Sequence, residues 1–227
     1  GISGEVIYRP FVPAKVQTRA SAPEGTEFTG IKSLYVFFFN SNGELVKDYS
    51  GDVNFTSTRP DGSTHERVTF KKKVRAGRYF VYAVANISKG QKSALSEVTS
   101  IETLRKFRLT WDDNINNDLE MFGVFRQDYK EGSGTPDNED FEADELITIT
   151  PDRNSLHSWV RRAVSKVTVD FDGTKLEDGV TVYIKNAVLK HVATGAFLGT
   201  NSLIKADDGF EIGTSNYSLD YGKGATY

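Results

Sequence analysis

The chain has 227 residues, no cysteine and a formal net charge of −3. That length holds one large or two ordinary domains and buries a core without disulfides or metals. The missing cysteines exclude thiol catalysis, thiolate metal sites and a disulfide framework, and the slightly acidic balance gives no electrostatic reason to expect nucleic acid as a partner.

The first residues, Gly1-Ile2-Ser3-Gly4, read as a trimmed start, with a leader or a lipidated residue expected upstream. From Val6 to Val16 the even positions Val6, Tyr8, Pro10, Val12, Ala14 and Val16 form one apolar face, the period of a strand. Pro10 and Pro13 donate no ladder hydrogen bonds, which places this strand at a sheet edge. Residues 17–29 are polar and contain Gly and Pro. They read as an exposed tether, the kind of segment that proteases nick, and Arg19 within it offers a trypsin-like enzyme its cationic specificity group.

Ile31–Phe39 is apolar on both faces, as a central strand of a covered sheet should be. The Asn42-Gly43 pair predicts a tight turn, with a return strand starting at Glu44. Val68–Val74 and Tyr79–Asn86 read as a second strand pair joined at Arg75-Ala76-Gly77, where Gly77 permits positive φ. Leu95, Val98, Ile101 and Leu104 recur at helical spacing, with Ser93 or Ser96 as N-cap and Glu97 near the positive end of the dipole. Phe107, Leu109 and Trp111 alternate again, Met121–Phe125 and Leu146–Ile149 are short strands, and Lys130–Glu145 reads as a long polar loop.

A second block opens near Ser158. Trp159, Arg161, Ala163, Ser165, Val167, Val169 and Phe171 fall on one face of a long strand, and Asp172-Gly173 and Asp178-Gly179 mark turns before Val180–Ile184 and Ala187–Val192. About ten strands to one helix predict an all-β fold, a β-sandwich rather than an α/β alternation. We divide the chain into an N-terminal sandwich, residues 1–152, and the start of a second β-sandwich, residues 153–227. The second has too few strands to be complete, so either it extends the first sheet or the chain is the front part of a longer protein, and the longer protein is favoured.

Little here points to chemistry. Asp112, Asn114, Asn116 and Asp118 place oxygens at alternate positions as a calcium loop does, but Asn117 stands where such a loop has glycine and Gly123 where it has glutamate. An Asx-rich turn accounts for the same residues. The acidic run Asp137–Glu145 reads as a solvated loop. Lys71, Lys72, Lys73, Arg75 and Arg78 alternate between strand faces and suit protection of a sheet edge better than phosphate binding. His65, His157 and His191 lie in separate segments, and no HExxH, GxSxG, GxGxxG or P-loop pattern occurs. No enzyme, cofactor or metal is expected. Trp111 and Trp159 could stack on sugar rings, so a surface glycan-binding lipoprotein is the alternative function, although both are in phase with apolar neighbours.

Three stretches in order carry a resemblance: "IKSLYVFFFNSNGELVKDY" (31–49), "VRAGRYFVYAVANIS" (74–88) and "VRRAVSKVTVDF" (160–171), with "VQTRA" (16–20) upstream. Together they resemble the fimbrillin-like family of Bacteroidetes surface proteins, over about residues 5–200. The resemblance implies a non-enzymatic type V pilus subunit or an accessory or anchor protein, built of tandem transthyretin-like Greek-key β-sandwiches. It implies export as a lipoprotein to the outer membrane and cell-surface fimbriae, other fimbrial subunits as partners, and host or bacterial surface ligands. It further implies a processing protease that cuts between Arg19 and Ala20. The first strand (Val6, Tyr8, Val12, Ala14, Val16) then leaves and a strand from another subunit takes its place.

Overall fold

The computed structural model describes residues 1–8, 30–58, 66–110, 120–127, 144–152, 154–163, 175–180, 182, 187–193, 195–199 and 212–217. In chain order its first strands are β1 (Ile2–Tyr8), β2 (Leu34–Phe39), β3 (Gly51–Asp52), β4 (Thr56–Thr58), β5 (Glu66–Lys72) and β6 (Gly77–Ala85). Helix α1 (Lys89–Lys92), a 3-10 turn (Ser93–Glu97) and helix α2 (Ile101–Arg105) follow. Then come β7 (Arg108–Thr110), β8 (Met121–Val124), β9 (Ile147–Ile149), β10 (Asn154–Trp159), β11 (Arg161–Arg162), β12 (Ala187–Ala193), β13 (Gly195–Phe197) and β14 (Ile212–Tyr217).

Two sheets form a sandwich. One has the order β10-β1-β5-β4; the other runs β11-β8-β6-β2-β3, with β9 on β6. Between them lies one apolar cluster, fed by Ile2, Val6, Val68, Phe70 and Leu156 from the first sheet and by Leu34, Val36, Phe38, Val81, Ala83, Ala85 and Met121 from the second. The fold is all-β with short helices, as the alternation predicts.

The double-sided apolarity of β2 has its cause in this layering. Phe38 enters the cluster between the sheets. Phe37 and Phe39 point the other way and are covered by Leu95, Val98, Leu104, Phe107 and Leu109 from the helical segment and β7. The Asn-Gly turn after β2 is built as its residues dictate. Gly43 has φ +80°, and the Asn40 side-chain oxygen accepts from the Asn42 and Glu44 amides at 2.9 and 3.0 Å. Its return strand is a single bridge, Phe39 to Leu45.

Three expectations are corrected. β5 and β6 do not pair; they belong to opposite sheets, so Arg75-Ala76-Gly77 is an arch between layers, and Gly77 is not among the glycines with positive φ. The apolar period from Leu95 to Leu104 is real, but it spans short turns rather than one helix. The chain straightens at Val98 (ψ 116°) and restarts at Ser100, which forms a reciprocal capping box with Thr103. Thus Ser100 is the cap where Ser93 or Ser96 is expected, and Glu102 rather than Glu97 sits in the first turn of α2. The strand expected from Trp159 onward breaks at Val160, where the chain leaves β10 in one sheet for β11 in the other.

β10 and β11 belong to the sheets of the first sandwich, so those sheets run to Arg162, past the division placed after residue 152. Further on, β12 pairs with β14, with an irregularity between Lys190 and Val192. The turn at Asp178-Gly179 is present, with Gly179 at φ +82°. β13 returns to pair with β7, and Leu198 joins the apolar layer behind β2.

Candidate functional site

The residues that could carry strand exchange begin with β1, Ile2-Ser3-Gly4-Glu5-Val6-Ile7-Tyr8. Its alternation sends Ile2 and Val6 into the cluster between the sheets, in phase with the even-numbered face read from the sequence. Ile7 points to the opposite face, yet is fully buried, in contact with Trp159. β1 is not an edge strand. It runs parallel to β10, Ile2 opposite Asn154 through Ile7 opposite Trp159, and antiparallel to β5, Ile2 opposite Lys72 through Tyr8 opposite Glu66. The edge expectation rested on Pro10 and Pro13, which lie outside the described residues. The strand starts four residues before Val6, where no proline interrupts the ladder on either side.

The walls of this slot are specific. Val68 faces Val6 from β5, and Leu156 closes the β10 side next to Gly4. On the outer face Glu5 pairs with Arg67 at 3.7 Å. Where β1 ends, the Val160 amide donates to the Ile7 carbonyl at 3.0 Å. The start of β10 is fixed by Asn154. Its oxygen accepts from the Thr150 amide at 3.1 Å, and its amide nitrogen donates to the Thr150 and Asp152 carbonyls at 2.9 and 2.8 Å.

Residues 9–29 are outside the described residues, and with them Val12, Ala14, Val16, Arg19 and Ala20; nothing is described of the Tyr8 side chain. Beyond them the chain is held from Gly30 onward. Asn86, buried and in the left-handed region at φ +58°, donates from its side chain to the Gly30 carbonyl at 3.0 Å and accepts from the Lys32 amide at 2.7 Å. Neither Asn86, Ile2 nor Gly4 was singled out by sequence reasoning. Ile2 and Gly4 could have been, since they continue the period of Val6.

The other sequence candidates are dispersed or bound. The Asp112–Asp118 loop, His65 and Trp111 lie outside the described residues, as does the His191 side chain. Among the described residues no group of three His, Asp or Glu is arranged to hold a metal, and no helix is long and apolar enough to cross a membrane. Trp159 is 5% exposed, too buried to stack on a sugar. Of the acidic run, Asp144 accepts from the Tyr82 hydroxyl and pairs with Arg105 at 2.5 Å, while Glu145 pairs with Arg126 at 3.2 Å. These two carboxylates are structural ties, where a solvated loop was expected. Lys71 and Lys72 lie beyond the short ladder that β4 makes with Arg67–Thr69 of β5.

Residues 12–134, more than half of the chain, match the family of the major fimbrial subunit protein (FimA). No curated protein matches. Similar solved structures include these two. One is the tip fimbrial protein Mfa3 from Porphyromonas gingivalis with a C-terminal truncation, at 18% identity and a TM-score of 0.47, covering 95% of this chain and 63% of that one. The other is a putative cell adhesion protein from Parabacteroides distasonis, at 14% identity and a TM-score of 0.39, covering 71% of this chain and 39% of that one. The chain therefore spans less than two thirds of the length of either. On the match over residues 12–134, the chain belongs to the major fimbrial subunit (FimA) family.

Proposed function

We propose that the chain is a non-enzymatic structural and adhesive subunit of cell-surface fimbriae that assembles by exchange of its first strand. Family membership supports the fimbrial role. The observation that carries the exchange is the position of β1, an N-terminal strand fully laddered on both sides and followed by the Arg19 segment before the chain is anchored again at Gly30. Cleavage between Arg19 and Ala20 by a trypsin-like processing protease frees residues 1–19 from the covalent chain. Ile2, Val6 and Ile7 then hold the strand by about 1.5–3 kcal/mol of burial each, together with the ladder bonds.

A strand between two neighbours does not drift away as an edge strand would. Its loss bares two rows of backbone donors and acceptors and an apolar floor at once, so an incoming strand must replace it. The same two walls give that strand more bonds than an edge would. Partners in this reading are the neighbouring fimbrial subunits, the protease and surface ligands. The protein is exported, reaching the outer membrane through a lipid anchor upstream of residue 1. β12 and β14, which pair with each other, belong to the start of a second β-unit.

Brief treatment of the full chain with trypsin, followed by sequencing of new N-termini, tests the cut. Ala20 is expected as the first new terminus. An Arg19 bond that survives while other sites are cut defeats the cleavage reading. Size-exclusion chromatography after release of residues 1–19 tests the exchange: oligomers or captured strand peptides are expected, and a stable, well-folded monomer overturns it.

A further inference from the structure

Gly4 is an anomaly inside β1. Its φ is not positive, it sits in regular register with both neighbours, and glycine in the middle of a strand costs backbone entropy and contributes no side-chain packing. Its reason is steric. Phe70, directly opposite on β5, folds its ring over the Gly4 backbone, so that a Cβ at position 4 would lie 2.3 Å from Phe70 Cζ and 2.5 Å from Cε1. Phe70 is only 3% exposed and its ring meets the Phe125 ring edge-on at 5.8 Å between centroids, which leaves it little room to swing aside. Two residues away, Val6 carries a branched side chain opposite Val68 and fits. The exclusion is therefore local to one position of the slot.

We propose that Phe70 acts as a register key for whatever strand fills this slot. The partner it selects is an extended segment of another polypeptide carrying glycine opposite Phe70 and apolar side chains two residues before and two residues after it. This rests on the strand-exchange reading and adds to it a specificity residue and a partner pattern. Because successive side chains alternate between faces, a strand entering one residue out of step would bring a Cβ against the ring and its apolar residues to the wrong face. The key thus fixes register as well as sequence.

The test uses the full chain nicked in the tether and fluorescent heptapeptides with the sequence of residues 2–8, unsubstituted or carrying Gly4→Ala or Gly4→Val. The unsubstituted peptide is expected to displace the resident strand. Gly4→Ala should bind at least tenfold more weakly and Gly4→Val more weakly still, with the gap closing in a Phe70→Leu chain. Equal binding of all three peptides overturns the key. Failure of even the unsubstituted peptide to exchange overturns the exchange reading and the partner selection with it. The steric contact is then judged separately in the intact chain. There Gly4→Val should lower the thermal midpoint markedly, and less so when combined with Phe70→Leu; an unchanged effect in the double variant shows that Phe70 is not the obstacle.

Discussion

The two faces of the β2–β6 sheet are both buried, but by different kinds of chain. On the inner face Phe38, Val81, Ala83 and Ala85 pack against β1, β5 and β10, and part of that covering, Ile2 and Val6, comes from the N-terminal strand. On the outer face Phe37, Phe39, Tyr82 and Val84 pack against short helical turns, β7 and Leu198. Those turns are too short to be stable helices alone. They are held by the Ser100–Thr103 box, by Asp144 between Tyr82 and Arg105, and by Arg105 donating to the Gly199 carbonyl at 2.7 Å. One face thus depends on a strand that exchange would replace, while the other is closed by segments that stay. The proposed exchange of β1 fits such a division.

The largest effect that sharpens this contrast is truncation of the two neighbouring phenylalanines. Phe37→Ala and Phe38→Ala should each cost roughly 3–5 kcal/mol in the intact chain, measured by denaturant unfolding. In a chain nicked in the tether and stripped of β1, the Phe37 effect should persist and the Phe38 effect shrink, because only Phe38 shares its apolar cluster with Ile2 and Val6 of β1. Equal shrinkage of the two would erase the distinction between the faces.

A smaller loss is expected where the sheets are tied together. Gly123 on β8 faces the crossing from β10 to β11, and a Cβ there would lie 2.4 Å from Ser158 Oγ and 2.8 Å from the Trp159 carbonyl oxygen. Gly123→Ala should therefore destabilise the chain by about 1–3 kcal/mol through overpacking. An unchanged thermal midpoint would mean that the crossing is loosely packed and that the inner face is not closed there.

Much of this architecture is legible in residues. A strand apolar on both faces announces two coverings, and the Asn42-Gly43 pair fixes its turn. The spacing of Leu95, Val98 and Leu104 names the outer covering, although a capping residue such as Ser100 decides where turns break. What periodicity does not carry is the choice of sheet. Val68 and Val81 alternate as well in an arch as in a hairpin, so β5 and β6 read as a pair although they face each other across the core. The site is legible to the same degree. Val6 is found by its period, but the two prolines drew the reading toward an edge strand centred on residues 6–16, away from Ile2 and Gly4. The meaning of Gly4 depends on Phe70, sixty-six positions later, which only the fold brings opposite it.

The smallest effect probes the outer face alone. Tyr82 is fully buried, and its phenol is held neutral well above the ordinary tyrosine range, first by burial and then by its hydrogen bond to Asp144 and that carboxylate's charge, with Arg105 opposing. A folded-state value raised above the unfolded one, near 10, means that the native chain keeps a proton the unfolded chain gives up. The stabilisation is complete below about pH 10 and is lost as pH rises above it. Burial raises Tyr35 and Tyr79 in the same direction, while it lowers Lys72, whose contribution has the opposite sign, so a raw alkaline curve mixes these groups. The Tyr82→Phe variant separates them. It should lose about 1 kcal/mol at neutral pH for the missing hydrogen bond, yet its thermal midpoint should fall less steeply between pH 9 and 11. Parallel curves for the two proteins would mean that Tyr82 ionises freely, and that the tie through Asp144 does not hold the outer covering in place.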